Sequence, residues 1–551
     1  MIAVVLAVSG GFRTTVGGLR LSARSPLPIA LGALGAAAAW LWMARRQRSA
    51  AADLEAAWRA TERFANPIIV SIAVTIAIVS GVFATRSAAG ADASGYISEA
   101  SALARGQLFH QDDLFELTRG HDAFLTSPLG WRPTPNSAAQ SPTYPPGLPL
   151  LMAVPHAIAG VKGAAAVVVL SAAIAIAATG SLALVLGGAA AGVIAATLIG
   201  FAPVFMHQAI QPMSDVPVTA AWMLSFLFIA KGRSRAAGIA CAIAVLIRPN
   251  LAPLAIVPLA LAGDRMRFGV PVALSGLVLG VLQTVWYGSP LRSGYGSADV
   301  LFAIANIGGN VERYTRWLLA TSPLLLLAVF GVARLRSERN VRGLAGFAML
   351  VIAAYLVYAV FDDWSYLRFL LPALAVFAIL AAIEFAAWVT RCPQAVRAPL
   401  LLAVVVAIGA HGLMTMRSLD TFKLAGQLQR VSQAADFVND HTPRAAVIVA
   451  GEQSGSMRYY TGRSILRWEA ATSDALSASI DTLEQSARPV YIVLDVWEEG
   501  LFRSKFANVP TVTLDWPPML EAGTTHRTRI WKLSDRQEFL RGERIETVRV
   551  P

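Results

Sequence analysis

Residues able to do chemistry fall between the apolar runs of this sequence. The stretch Ala91-Asp-Ala-Ser-Gly-Tyr-Ile-Ser-Glu-Ala-Ser-Ala-Leu-Ala-Arg-Gly106 sets Asp92 just past one such run. Aspartate is a favoured N-cap. A helix starting there and closed by Gly106 would carry Tyr96 and Glu99, at i+4 and i+7, on the face of Asp92. An acid anchored in this way at a membrane surface can deprotonate a hydroxyl nucleophile or bind a metal, with plain N-capping as the competing role. Gln211-Pro-Met-Ser-Asp-Val-Pro217 puts Asp215 at the start of another apolar run. Arg248-Pro-Asn250 interrupts the run 236–262, and a charge at membrane depth is costly unless it faces a cavity or a partner. The other reading of Arg248 is an arginine at the outer turn of a tight hairpin.

Further polar groups fall in the same kind of position. Gly288-Ser-Pro-Leu-Arg-Ser-Gly-Tyr295 adds Arg292 and Tyr295, and Phe361-Asp-Asp-Trp-Ser-Tyr-Leu-Arg-Phe-Leu-Leu-Pro372 adds Asp362, Asp363 and Arg368. Ser141-Pro-Thr-Tyr-Pro-Pro-Gly-Leu-Pro149 offers Tyr144 in a rigid extended lead-in. The planar donor fork of arginine suits phosphate oxygens, so Arg248, Arg292 and Arg368 are candidates for an anionic group. His110, Asp112, Asp113, His121 and Asp122 are candidate ligands of a divalent metal, but their irregular spacing reads more readily as a solvated loop.

These residues need a scaffold, and the composition states its kind. Of 551 residues 56% are hydrophobic and only 15% charged, and the mean hydropathy is +0.56. That excludes a disordered chain and points to a polytopic helix bundle. The net charge of +12 is expected to be topological, concentrated in cytoplasmic loops; without an aromatic-interleaved basic patch, no nucleic-acid partner is expected. Cys241 and Cys392 imply no disulfide framework.

The basic stretch Arg45, Arg46, Arg48, Arg59, Arg63, following a first apolar run Leu27–Met43, reads as cytoplasmic, as do the loops at 231–235, 264–267, 334–342 and 391–397. The intervals 85–147, 206–217, 288–316 and 362–368, and everything after about Arg417, fall on the opposite side. About eleven or twelve spans result. Among three apolar stretches, Leu148–Ala159, Gly163–Gly187 and Ala189–Phe205, parity requires one half-helix, and Leu148–Ala159 with its Pro155 is the choice. The predicted division is therefore an N-terminal segment 1–64, a transmembrane module 65–417 with its first outer loop at 85–147, and a soluble outer α/β domain 418–551. In that tail, helices are expected at Leu424–Asn439 and Asp474–Gln485, with strands at Ala445–Ala450, Pro489–Val496, Thr511–Leu514 and Thr528–Leu533. Tyr459, Tyr460 and Arg463 fall in a turn suited to a saccharide platform or, more plainly, to domain packing.

The order of motifs resembles the GT-C superfamily of integral membrane glycosyltransferases, whose members include protein mannosyltransferases and the aminoarabinose transferase of lipid A. The resemblance spans roughly residues 85–380: the loop acid, Tyr-Pro-Pro-Gly, Ser-Asp-x-Pro, Arg-Pro-Asn, Gly-Ser-Pro-Leu and Tyr-x-Arg-Phe-x-x-Pro. It implies a sugar donor carried on polyprenyl phosphate and a hydroxyl acceptor in the cell envelope, at the outer face of a bacterial inner membrane. It matches Asp92 to the loop acid taken as base and Asp215 to a second acidic position. A divalent metal, used by some relatives, would share the phosphate-holding role. Two departures stand out: Ala93 follows Asp92 where many members have a second acid, and Tyr144 stands where many have lysine before Pro-Pro. The expected function is transfer of a sugar from the lipid phosphate, with Arg248, Arg292, Arg368 and Tyr144 at the donor and Tyr96, Glu99 and Tyr295 at the substrate. A transporter or lipid flippase, or a non-catalytic envelope assembly protein, are the alternatives.

Overall fold

Inside a bilayer, backbone polar groups can be satisfied only within a helix or a closed barrel, and the long apolar runs of this chain become helices. The computed structural model describes residues 12–16, 19–23, 50–118, 122–135, 139–296, 301–334 and 338–551. The expected span Leu27–Met43, the basic residues Arg45, Arg46 and Arg48, and His121 lie outside the described residues. Among those described, six helices are long and apolar enough to cross a membrane, or seven when Asn306–Thr321 and Pro323–Arg334, bent by 107°, count as one.

In chain order the bundle comprises α1 (Ala50–Arg63), α2 (Ala65–Phe83), α3 (Ala91–Ala104), α4 (Gly147–Gly200), α5 (Pro203–Ala209), α6 (Asp215–Ala230), α7 (Ser234–Ile247), α8 (Arg265–Tyr287), α9 (Arg339–Leu356), α10 (Leu371–Arg391) and α11 (Gln394–Ser418). The long α4 is three limbs. Its backbone leaves helical geometry at Ala159 and Gly160 and again at Gly188, the two glycines taking φ of 58° and 82°. Only glycine adopts such angles without cost, so the chain folds back at both points. The breaks coincide with the boundaries of the three apolar stretches read from sequence, and the first limb is the short one containing Pro155.

Helix α4 is the hub, packing against α2, α6, α10 and α3. Burial separates inner helices from outer ones: 89% of the most apolar stretch of Trp364–Arg391 is enclosed, against 17% for α8. Leu274, Leu277, Val281 and Val285 of α8 are exposed apolar side chains, as a lipid-facing surface requires. The segment after α7 breaks where Pro249 follows Arg248, and the backbone continues as a 3-10 helix over Pro249–Ala255.

Beyond residue 418 the chain forms an α/β domain. A six-stranded sheet runs in the order β11-β9-β10-β8-β6-β7, with β6 (Val447–Ala450), β7 (Ser464–Arg467), β8 (Val490–Asp495), β9 (Leu520–Ala522), β10 (Thr528–Lys532) and β11 (Val548–Val550). Strands β7, β6 and β8 are parallel, and β10 runs antiparallel to β8. Both faces are covered, as a parallel sheet demands. Val447 and Val449 face a cluster with Leu476, Ile480 and Phe502, whereas Ile448 and Ala450 face Val431, Ala434 and Val438. These partners belong to helices α12 (Leu424–His441), α13 (Ser473–Gln485) and α14 (Val496–Lys505). The strand expected at Thr511–Leu514 is instead a 3-10 turn, Pro510–Val512, after which Leu514 takes a left-handed φ of 56°. Proline supplies no N–H for a ladder there, so β-branched residues alone did not make a strand.

The first outer loop does not stand apart from the tail. Its β3 (His110–Gln111), β4 (Trp131–Pro133) and β5 (Ala139–Pro142) form a small antiparallel sheet, and Leu114 and Leu125 are fully buried within the tail's own core. The two are further tied by the backbone N–H of Arg467 donating to the Leu125 carbonyl at 2.6 Å and by Asp112–Arg458 and Asp113–Arg488 ion pairs at 3.2 and 3.4 Å.

Candidate active site

Helix α3 opens with Gly90 as its N-cap, and Asp92 falls in the first turn with no capping hydrogen bond from the Gly90 position. The expected capping role is thereby displaced. The carboxylate reaches across to Arg368 instead, at 2.8 Å. Arg368 rides on the 3-10 turn Trp364–Leu370, which starts where the Asp363 side chain accepts the Ser365 N–H at 2.8 Å. Its guanidinium lies 5.1 Å from the ring centres of both Tyr366 and Phe369, a cation–π arrangement. Only part of this fork is used. Nη2 serves Asp92, Nη1 has the Met213 sulfur at 3.9 Å, and Nε has no hydrogen-bond partner.

A second pair stands beside the first. Asp215 opens α6 and Arg248 closes α7, and the proline break lets the guanidinium meet the carboxylate at 2.5 Å. Arg248 also donates to the Ser214 hydroxyl at 3.2 Å and to the Tyr355 hydroxyl at 3.1 Å, so all three of its nitrogens are engaged. Asn250 donates to the same Tyr355 oxygen at 3.1 Å. The Tyr96 hydroxyl donates to Ser214 at 3.0 Å, tying α3 to this pair. Arg248 is the structural cation of the site, and Arg368 is the one with donors to spare.

Both pairs line a cavity of about 850 Å³ that also takes in Tyr96, Tyr144, Tyr295 and Tyr358. The Tyr96 and Tyr144 rings lie 4.7 Å apart, and Tyr295 meets Tyr144 edge-on at 5.9 Å. Gly95 allows this packing, because a Cβ there would stand 2.2 Å from the Tyr144 ring. Burial, and then the charge of Asp92, push the Tyr96 and Tyr144 hydroxyls above their ordinary range. Both remain neutral hydrogen-bond donors near neutral pH.

Of the residues singled out in the sequence, Asp92, Asp215, Arg248, Arg368, Tyr96, Tyr144 and Tyr295 thus converge on one cavity. Glu99 and Arg292 do not line it. Glu99 has the right angular position but lies two turns farther along α3, on the order of 10 Å of rise from Asp92. It is 1% exposed, neither oxygen has a partner, and burial lifts its carboxyl well above the carboxylate range. Arg292 is exposed. Arg132 donates to the carbonyls of Ser293 and Gly294, and in the turn it holds, Tyr295 rather than Arg292 faces the cavity.

The loop residues proposed as metal ligands have other work. Asp112 and Asp113 hold Arg458 and Arg488 of the tail, and His110 is lowered to about 4 by burial and then by Arg458 and Arg105. Among the described residues no three His, Cys, Asp or Glu side chains are grouped to hold a metal ion. The expected turn is a helix, Ser454–Thr461, whose tyrosines contact the bundle side: Tyr459 shares a 2.8 Å hydrogen bond with His156, and the Tyr460 hydroxyl accepts the Ala88 N–H at 2.7 Å. Arg463 donates to the carbonyl of Thr442 at 2.8 Å, just past α12.

Sequence reasoning missed Tyr355, Ser214, Gln208 and, from the tail, Glu452. Tyr355 lies in an apolar helix with no local signal. Glu452 carried one: an acid two residues after a predicted strand, at the carboxyl end where parallel sheets place their ligands. It follows β6, lines the cavity, and accepts the Ala91 N–H at 3.2 Å. Burial raises its carboxyl above the usual range, and the Ala91 N–H pulls it back.

The chain matches no protein-family model and no curated protein. It shares its fold with solved structures of ArnT and of an oligosaccharyltransferase. ArnT from Cupriavidus metallidurans in the apo state is 14% identical with a TM-score of 0.52, covering 84% of this chain and 97% of ArnT. The same ArnT bound to undecaprenyl phosphate superposes with a TM-score of 0.51. The Archaeoglobus fulgidus oligosaccharyltransferase in complex with Zn and sulfate is 14% identical with a TM-score of 0.53, covering 79% of this chain and 69% of that one.

Proposed function

We propose that this chain, built on the GT-C fold, transfers a sugar from polyprenyl phosphate to a hydroxyl of a cell-envelope acceptor at the outer face of a bacterial inner membrane. One observation carries the reading: Asp92 is held in a 850 Å³ cavity by an arginine that retains unused donors. The acceptor hydroxyl attacks the anomeric carbon and gives its proton to Asp92. The bond from that carbon to the phosphate oxygen breaks, and its electron pair leaves with the lipid phosphate. The phosphate gains a negative charge as this happens, so Arg368 binds it more strongly in the transition state than in the ground state. The same phosphate competes with Asp92 for the guanidinium, so donor arrival frees the base for its proton. Arg248, saturated by Asp215, Ser214 and Tyr355, contributes its field and the shape of the wall. A single displacement of this kind inverts the anomeric configuration.

The test is transfer of radiolabel from a panel of undecaprenyl-phosphate sugars into envelope extracted from a deletion strain, using purified protein in detergent. Label is expected in an envelope acceptor with inverted configuration, and no transfer from any sugar of the panel would sink the proposal. A phosphatase reporter fused after Asp420 should be active, because the tail is expected on the outer side; cytoplasmic activity alone would reverse the topology.

A further inference from the structure

Among the described residues the cavity wall comes from the membrane bundle and its outer loops, and the tail adds one residue, Glu452. Its backbone and its side chain are each held: the Glu452 N–H donates to Glu498 at 3.0 Å, and its own carboxylate takes the Ala91 N–H, one residue from Asp92. Unlike Asp92 and Asp215, it forms no ion pair with a guanidinium among the described residues. Neighbouring acids, Glu469, Asp495 and Asp92, add to burial in raising its carboxyl. Among the described residues the lining therefore holds three carboxylates against two guanidiniums, and the surplus one stands at the tail side.

Other unfilled groups point the same way. Gln208 is 1% exposed and lines the cavity, yet its Oε1 has no partner; the same holds for Oδ2 of Asp215. These are hydrogen-bond acceptors, and a buried acceptor left unmade costs about 1–3 kcal/mol, so they call for a ligand rich in donors. An anionic acceptor fits poorly. With Arg368 shared between Asp92 and the donor phosphate, a second phosphate arriving beside Glu452 would meet like charge with no cation to offset it.

Resting on the transferase reading above, we infer that Glu452 binds the acceptor, and that the acceptor presents the hydroxyls of an uncharged glycan rather than a phosphate or carboxylate. The carboxylate takes a hydrogen bond from a hydroxyl neighbouring the attacking one, which sets that one against Asp92. Glu452 is thus an acceptor-binding residue supplied by the tail, and the tail sets the acceptor class.

The test uses the full-length protein with the deletion-strain envelope and a labelled undecaprenyl-phosphate sugar that wild type transfers. Mass analysis of the product should show a glycosidic bond to a sugar hydroxyl, stable to mild acid. A glycosyl phosphodiester, a bond to an amide or any other linkage would overturn the acceptor class. Glu452→Gln keeps an oxygen for the Ala91 N–H and should melt like wild type. It should lose about 10-fold or more in transfer at limiting acceptor, as loss of a charge-assisted hydrogen bond predicts, while its affinity for undecaprenyl phosphate stays unchanged. Wild-type transfer by this variant, or an equal loss of undecaprenyl phosphate affinity, overturns the role of Glu452. If wild type transfers no sugar at all, the transferase reading has failed and this inference falls with it. That outcome is distinct from a transferred sugar in the wrong linkage.

Discussion

Asp92→Asn should cut turnover by about 10²–10⁴-fold while leaving the fold intact. The amide oxygen of asparagine still accepts a hydrogen bond from Arg368 Nη2, now 2.8 Å from the carboxylate. What goes is the negative charge, and with it the ability to take a proton from the acceptor hydroxyl. In the first turn of α3 that charge also complements the helix dipole, a contribution of about 0.3–1 kcal/mol, too small to unfold the chain. Donor binding should hold or improve, because Arg368 no longer has an anion of its own to neutralise. The measurement is a comparison of transfer rate and undecaprenyl phosphate affinity for both proteins at matched melting temperature. A variant keeping more than about half the wild-type rate would dismiss Asp92 as the base, since loss of a base removes far more. Asp215, with one oxygen free and facing the cavity, would be the acid to test next.

Arg248→Ala should act on stability before it acts on catalysis. Asp215 is 1% exposed, and removing its cation leaves a buried carboxylate uncompensated together with Ser214 and Tyr355 stripped of a donor. Breaking a buried pair on one side costs about 3–5 kcal/mol, a large part of the about 5–15 kcal/mol that holds a typical domain. Replacing both partners, Arg248→Ala with Asp215→Ala, should recover much of that loss, because no orphan charge remains. Thermal melting in detergent of the two single variants and the double variant measures the coupling. A single Arg248→Ala that melts like wild type but binds undecaprenyl phosphate weakly would instead make Arg248 the phosphate ligand.

Backbone punctuation was the most legible part of the molecule. Gly160, Gly188 and Pro249 act through local sterics, so the limbs of α4 and the interrupted helix at Arg248 could be placed without any partner. The acids and arginines that met in the cavity were legible because charge is costly among apolar runs and has to be answered there. Direction was harder. Glu99 shares the angular face of Asp92 but lies beyond the end of the cavity, and periodicity carries no information about where a cavity stops. Arg292 and Tyr295 are three residues apart in one turn, and the Arg132 contact that holds that turn comes from the first outer loop, 161 positions away in sequence. Glu452 and Tyr355 belong to the site only through tertiary packing. In the tail, β7, β9 and β11 were missed because each is only three or four residues long, too short for alternation to show.

Leu114 and Leu125 lie in the core of a domain that the ribosome makes only after the bundle. Between Ala91 and its contact Glu452 there are 361 positions, which at about 5–20 residues per second is roughly 20–70 s of synthesis. During that interval the bundle can insert and Asp92 can find Arg368, but the first outer loop has two uncovered leucines and the cavity lacks Glu452. Synthesis of the tail is therefore a maturation step with its own clock. A stop before the tail would yield a bundle with the Asp92–Arg368 pair in place, no Glu452 in the cavity wall, and a sticky loop for quality control to recognise.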